Sequence, residues 1–81
     1  MNEKKKYDTA KCTLLAMRDD VALSLGLEFS KRFDACFDLA VTAVAWSMVD
    51  GAHTKDTVLP YLCHLTMTHI AGGAFTHLET A

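Results

Sequence analysis

Three of the four histidines in this 81-residue chain fall within one segment, CHLTMTHIAGGAFTHL, at residues 63–78. The segment also holds a cysteine and a methionine, so the three side-chain types that commonly ligate haem iron are all present. Two histidines that bind one metal from a helix are four residues apart, whereas His64 and His69 are five apart and His69 and His77 are eight apart. Because these rings do not converge, we predict no cofactor and no metal, and we keep a haem or metal site as a minor alternative.

Cysteine and methionine side chains in the chain indicate packing rather than chemistry. Cys63 and Met67 share a helix face, and two sulfur ligands would suit copper(I), but free cysteine and methionine are also ordinary core residues. The other cysteines, Cys12 and Cys36, are far from Cys63 and from each other, so the spacing indicates neither a disulfide framework nor a structural zinc site. Reduced thiols are typical of a cytoplasmic protein, which is the location we expect.

The sequence lacks the common catalytic motifs. It contains no G-x-S-x-G, no glycine-rich phosphate loop and no H-E-x-x-H. Asp34 and Asp38 are four residues apart on the polar side of a predicted helix, where an acidic pair is typical of a solvated face rather than of a catalytic dyad. We therefore do not expect the chain to be an enzyme.

The spacing of the apolar residues predicts an all-α fold, a three-helix antiparallel bundle. The three helices are expected at residues 8–25, 31–50 and 57–71, and no strand-like alternation competes with them. The lysine-rich residues 1–7 are expected to be a flexible basic tail. Residues 8–81 then form a single helical domain, since the chain is too short for two.

Residues with strong capping preferences mark the predicted helix boundaries. Ser30 suits the N-cap of the second helix, while Gly26 and Gly51 suit the ends of the first and second helices. The glycine pair at residues 72–73 either ends the third helix or lies inside a longer one that reaches Leu78. The sequence leaves both possibilities open.

The first and second predicted helices each carry a continuous apolar stripe. We predict that these stripes form the core: Ala10, Leu14, Met17, Val21 and Leu25 on the first helix, and Phe33, Phe37, Ala40, Val41, Val44 and Met48 on the second. A secondary stripe of Ala35, Leu39 and Trp46 widens the apolar arc of the second helix. One neighbouring helix would not cover that arc, so Trp46 is predicted to make contacts outside the bundle.

The third predicted helix lies in a run of 22 residues, 57–78, that contains no Asp, Glu, Lys or Arg. Its histidines, threonines, glycines and proline make it too polar for a transmembrane helix, and we predict no membrane partner. A helix without charges is expected to be buried nearly all round, whereas a three-helix bundle normally leaves a charged strip of each helix in water. This helix is therefore predicted to be covered by a second copy of the chain or by another protein.

Nucleic-acid binding is the main alternative, because three helices with short turns can include a helix-turn-helix. The recognition helix would have to present Arg, Lys, Asn or Gln to base edges. The second helix begins with Lys31 and Arg32 but then becomes apolar or acidic, and the third has no cation. With a net charge of −2 and a pI near 6.0, nucleic acid is not the partner we expect.

These observations favour a small protein–protein interaction module that acts as a regulator, adaptor or inhibitor. It is expected to self-associate, most simply as a homodimer, and to bind an unidentified protein partner. We predict the contact residues to be Leu39, Trp46, Tyr61, His64, Leu65, Thr68, Gly72 and Phe75.

Overall fold

The computed structural model describes residues 2–78, and these residues form four α-helices and one 3₁₀ turn without any strand. The elements are α1 (Glu3–Leu15), α2 (Arg18–Leu25), α3 (Lys31–Val49), α4 (Val58–Ala71) and a 3₁₀ turn at Thr76–Leu78. The all-α prediction is confirmed. The count of three helices is not, because the described chain has two helices where the sequence predicted the first one.

The predicted helix at residues 8–25 is interrupted at Ala16 and Met17. The Met17 N–H donates to the Leu14 carbonyl at 2.9 Å, a tighter turn than that of an α-helix, and Met17 has φ −91° and ψ 6°. A new helix begins at Arg18, with two acidic side chains in its first turn, where the helix dipole favours negative charge. Leu14 and Val21 are both fully buried on either side of the break, so the apolar stripe does not reveal it.

The first helix begins at Glu3, five residues before the predicted start. The Asn2 side chain accepts a hydrogen bond from the Lys5 N–H at 2.8 Å, which caps the helix. Glu3 adds a carboxylate to the first turn. Residues 3–7, which the sequence predicted to belong to a flexible tail, are therefore the beginning of α1, while Met1 lies outside the described residues.

The central element is α3, which packs against α1 on one side and α4 on the other. Contacts near the helix ends show that both neighbours run antiparallel to it: Tyr7 of α1 meets Trp46 near the end of α3, and Arg32 near the start of α3 meets Ile70 near the end of α4. The predicted main stripe of α3 forms much of the core: Ala40, Val41 and Val44 are fully buried, and Phe33 and Phe37 are almost as buried. Cys36 and Ala45, which were not predicted to belong to the stripe, are also fully buried.

Only part of α4 is buried within the single chain. Val58, Leu62 and Thr66 are fully buried, and the Thr66 hydroxyl donates to the Leu62 carbonyl at 2.8 Å. The exposed residues of α4 include His64 and Thr68. A helix buried nearly all round, as the sequence predicted, is therefore not seen in the single chain. None of the described helices has the length and apolar character needed to cross a bilayer.

The end of α4 is fixed by its glycines and by Arg32 of α3. The helix ends at Ala71, and Gly73 has a φ of 84°, a conformation that glycine adopts easily. The Arg32 guanidinium donates from Nε to the Ala74 carbonyl at 2.9 Å and from Nη2 to the Ile70 carbonyl. The possibility that the helix continues to Leu78 is thus excluded.

Candidate protein-binding surface

Large apolar side chains are exposed on α1, on α2, on α3 and on the connection before α3. Within the described residues, no large apolar side chain of α4 is exposed. The exposed side chains are Leu15 (41% exposed), Leu23 (83%), Phe29 (51%), Leu39 (43%) and Trp46 (43%). Since isolated exposed apolar residues are common on any surface, a binding surface is indicated only where several of them adjoin.

Leu39 and Trp46 share the outward face of α3. They are seven residues, or two helical turns, apart, which is about 10 Å along the axis. Between them on this face lie Thr42 and Ala43, which are exposed and uncharged, and Ala35 extends the face by a further turn. We call this row of Ala35, Leu39, Thr42, Ala43 and Trp46 the outer strip of α3. The secondary stripe that the sequence identified is its main part.

The indole of Trp46 is held in place by α1. The Tyr7 ring stacks on it with a centroid separation of 4.6 Å and an interplanar angle of 28°. One face of the indole is therefore covered by Tyr7, while 43% of the residue is still open to solvent. Sequence reasoning missed Tyr7 because it was assigned to the tail, although Asn2 followed by the acidic Glu3 is a typical start of a helix.

Charged side chains of both signs border the outer strip. Lys4 and Lys11 lie three residues before and four residues after Tyr7, so they share its side of α1, near Trp46. The exposed Asp50 lies one helical turn beyond Trp46 at the same end, and the exposed Asp38 precedes Leu39 at the other end. The strip thus has charges of both signs beside Trp46 and an acidic residue beside Leu39.

The exposed Phe29 ring belongs to a separate cluster around Arg18. The Arg18 Nε donates to the Asp34 carboxylate at 2.7 Å, and the guanidinium carbon lies 3.9 Å from the centroid of the Phe29 ring. The hydrogen bond to Asp34 raises the pKa of Arg18, so the guanidinium stays charged. The Arg18 guanidinium thereby covers part of the Phe29 ring within the chain.

Four of the predicted contact residues share a face of α4, at Tyr61, His64, Leu65 and Thr68. His64 and Thr68 are exposed, and the Thr68 hydroxyl donates to the His64 carbonyl at 2.8 Å. Leu65 and Tyr61 are half-buried. This face offers ring edges and hydroxyls rather than a continuous apolar surface.

The Tyr61 ring is stacked on His53 of the loop between α3 and α4. The ring centroids are 4.4 Å apart with an interplanar angle of 9°. His53 is itself fixed, because its Nδ1 lies 2.7 Å from the Ser47 hydroxyl. Tyr61 therefore packs within the chain as well as lining the α4 face.

The remaining predicted contact residues, Gly72 and Phe75, lie in the turn that follows α4. Gly72 is the C-cap, and a Cβ there would lie 3.1 Å from the Thr68 carbonyl oxygen. Phe75 is half-buried and has a φ of 58°. The helix α4 ends at Ala71. Thr68 and Gly72 therefore do not form a continuous helical stripe of small residues that another helix could approach.

The thiols and histidines of the described residues show no reactive arrangement. Burial raises the pKa of the Cys36 thiol, and it also raises that of Cys63, against a smaller opposite effect of a hydrogen bond from Ser24. Raised values keep both thiols protonated, which is the less nucleophilic form. Within residues 2–78, no three His, Cys, Asp or Glu side chains come together in a group that could hold a metal ion.

The helix-turn-helix alternative requires a recognition helix with side chains that reach base edges, and the sequence considered α3 and α4 for this role. Arg32, one of the two cations at the start of α3, has its guanidinium bound to backbone carbonyls of the α4 terminus. The outer strip of α3 carries Leu39, Thr42 and Trp46 instead of side chains that hydrogen-bond to base edges.

In the comparisons with known proteins, no family model, no curated protein and no solved structure matches this chain. Its class therefore rests on its own fold and surface. Within the described residues it is an all-helical protein with an apolar strip on its central helix, bordered by charges of both signs.

Proposed function

We propose that the chain is a small protein–protein interaction module that works as a homodimer, with the outer strip of α3 as its interface. The observation that carries the proposal is the exposure of Leu39 and Trp46 on one face of the central helix, with only uncharged residues between them. Removing apolar surface from water stabilises an assembly by about 25 cal/mol per Å². Because Trp46 is already stacked on Tyr7, little side-chain freedom is lost when a partner binds it.

The order of residues along the strip fits a second copy of the same helix. Leu39 and Trp46 are equally distant from the midpoint between Thr42 and Ala43. If two copies of α3 meet antiparallel about a two-fold axis at that midpoint, each Leu39 faces the Trp46 of the other copy. Thr42 and Ala43 are small, so the two helices can approach closely where they cross.

The charges around the strip support the same arrangement. In the antiparallel dimer, Asp38 of one copy approaches Lys4 and Lys11 of the other copy. Two such pairings arise from one two-fold axis.

The face of α4 supports a role in binding a different protein. It carries no ion between Thr57 and Leu78, and His64 and Thr68 are exposed on it. Histidine rings pack against a partner and hydrogen-bond at their edges without an obligatory charge near neutral pH. A dimer with two such faces suits a regulator, adaptor or inhibitor. A cytoplasmic location fits the three free thiols.

The decisive experiment is the solution mass of the chain and of two matched variants, measured by light scattering. The unchanged protein is expected at twice the chain mass of 8.9 kDa. Leu39→Glu places a carboxylate against the Trp46 of the other copy and is expected to give the monomer mass. Leu23→Glu makes the same change at the more exposed Leu23 of α2 and is expected to leave the dimer intact.

Circular dichroism of both variants checks that the helices are retained. A folded Leu39→Glu variant that remains a dimer would show that the interface lies elsewhere. An unchanged protein with the monomer mass at about 100 µM would reject the homodimer itself.

A further inference from the structure

A cavity of about 630 Å³ lies between α1, the end of α3 and the loop that follows it. This volume is in the range of sites that hold small molecules, which is about 300 to 1,000 Å³. It lies on the side of α1 opposite to Lys4 and Lys11, because its lining residues Lys5 and Lys6 point in other directions around the helix. The cavity is therefore separate from the proposed dimer interface.

Three lysines, Lys5 and Lys6 of α1 and Lys55 of the loop, line this cavity. No carboxylate is among its described lining residues. The ion pairs found within residues 2–78 all involve Arg18, so none of the three ammonium groups is neutralised by a carboxylate in that part of the chain. Three like charges around one cavity repel each other unless an anion lies between them.

The inner surface of the cavity is apolar. Met48 and Val49 at the end of α3 contribute it, together with Ala10 of α1. Thr9 and Thr13 of α1 add hydroxyl groups at the side, and the Thr13 hydroxyl donates to the Thr9 carbonyl at 3.1 Å. A lysine-rich rim above an apolar surface suits a ligand with one anionic group and an apolar body.

We propose that this cavity binds a small soluble organic anion, a phosphate or carboxylate carried on an aromatic or aliphatic body. The anionic group lies among the ammonium groups of Lys5, Lys6 and Lys55, and the apolar body rests on Met48 and Val49. Lysine recognises the charge of such a group rather than its geometry, so phosphate and carboxylate share the same site.

The probe for the test is 1-naphthyl phosphate, titrated into the isotope-labelled full chain and followed by amide chemical shifts. The shifts are expected at Lys6, Lys55, Met48 and Val49. The neutral 1-naphthol and inorganic phosphate each lack one half of the ligand, and both are expected to bind at least about tenfold more weakly. If 1-naphthol or inorganic phosphate binds as tightly as 1-naphthyl phosphate, the proposal is overturned.

Two single variants of equal charge separate the cavity from general attraction to a basic surface. Lys55→Gln is expected to weaken 1-naphthyl phosphate binding by about fivefold or more, while Lys31→Gln, which lies outside the cavity, changes it by less than about twofold. Equal loss in both variants would overturn the assignment. In a last experiment, the chain is mixed with vesicles that contain phosphatidic acid. Binding to these vesicles without binding to 1-naphthyl phosphate would reject the proposal of a soluble ligand.

Discussion

The Tyr7 ring of α1 stacks on the Trp46 ring of α3, with the ring centroids 4.6 Å apart. This pair connects the first turns of the chain to the last turns of its central helix. It also covers one face of Trp46, while 43% of that residue is still exposed to solvent. The packing of the first turns of α1 and the shape of the proposed dimer interface therefore both depend on the contact between Tyr7 and Trp46.

Replacing Tyr7 by Ala tests whether this stack holds the indole. Stacked aromatic pairs contribute about 0.5 to 1.5 kcal/mol beyond their buried area, so we expect the free energy of unfolding in urea to fall by about 1 kcal/mol or more. Trp46 is the single tryptophan of the chain, and its emission is expected to shift to longer wavelength as water reaches it. Tyr7→Phe keeps the ring and is the control, with emission unchanged. Identical spectra for all three proteins would contradict a structural role for the stack.

The central helix α3 was predictable from the sequence because several local signals agree. Ser30 is the N-cap, and its hydroxyl accepts from the Phe33 N–H at 3.0 Å. The predicted core residues of its main stripe are buried, apart from Met48, which is partly buried. Gly51, just beyond the end of the helix, has a φ of 82°. Capping, periodicity and turn chemistry are all local, so a single sequence reveals them.

The break after Leu15 and the early start of α1 were not predictable in the same way. The break leaves the apolar stripe continuous, and what distinguishes Arg18 is its contact with Asp34, which is sixteen residues away. The run Lys4 to Lys6 resembles a solvated tail until Tyr7 is known to rest on Trp46. The three-lysine cavity likewise depends on Lys55, which only the tertiary fold brings close to α1.

Replacing Arg32 by Lys tests whether this side chain holds the end of α4. Its guanidinium donates to the Ala74 and Ile70 carbonyls from two different nitrogens, a geometry that an ammonium group does not reproduce. We expect a loss of about 1 to 3 kcal/mol in the free energy of unfolding, measured with urea. We also expect faster amide hydrogen exchange at Gly73 and Ala74.

The control is Lys31→Met, which removes a neighbouring, exposed cation from the same turn of α3. It is expected to change the free energy of unfolding by less than about 0.5 kcal/mol. If Arg32→Lys and Lys31→Met have equal effects, the hydrogen bonds of Arg32 do not stabilise the terminus of α4.

The buried Cys36 thiol and the half-buried Cys63 thiol predict how stability changes at alkaline pH. Burial raises the pKa of Cys36 and of Cys63 in the folded chain above the value of an exposed thiol, about 8.5. The folded state thus holds these protons more tightly than the unfolded state does. Their contribution to stability is complete below pH ~8.5 and is lost as the pH rises through the folded-state values.

We expect the urea midpoint of the unchanged protein to fall above about pH 8.5 more steeply than that of a Cys36→Ala, Cys63→Ala variant. Cys12→Ala, which removes an exposed thiol, is the matched control. Parallel curves for the unchanged protein and the double variant would contradict the burial of these protonated thiols, because all other ionisable groups are common to both proteins.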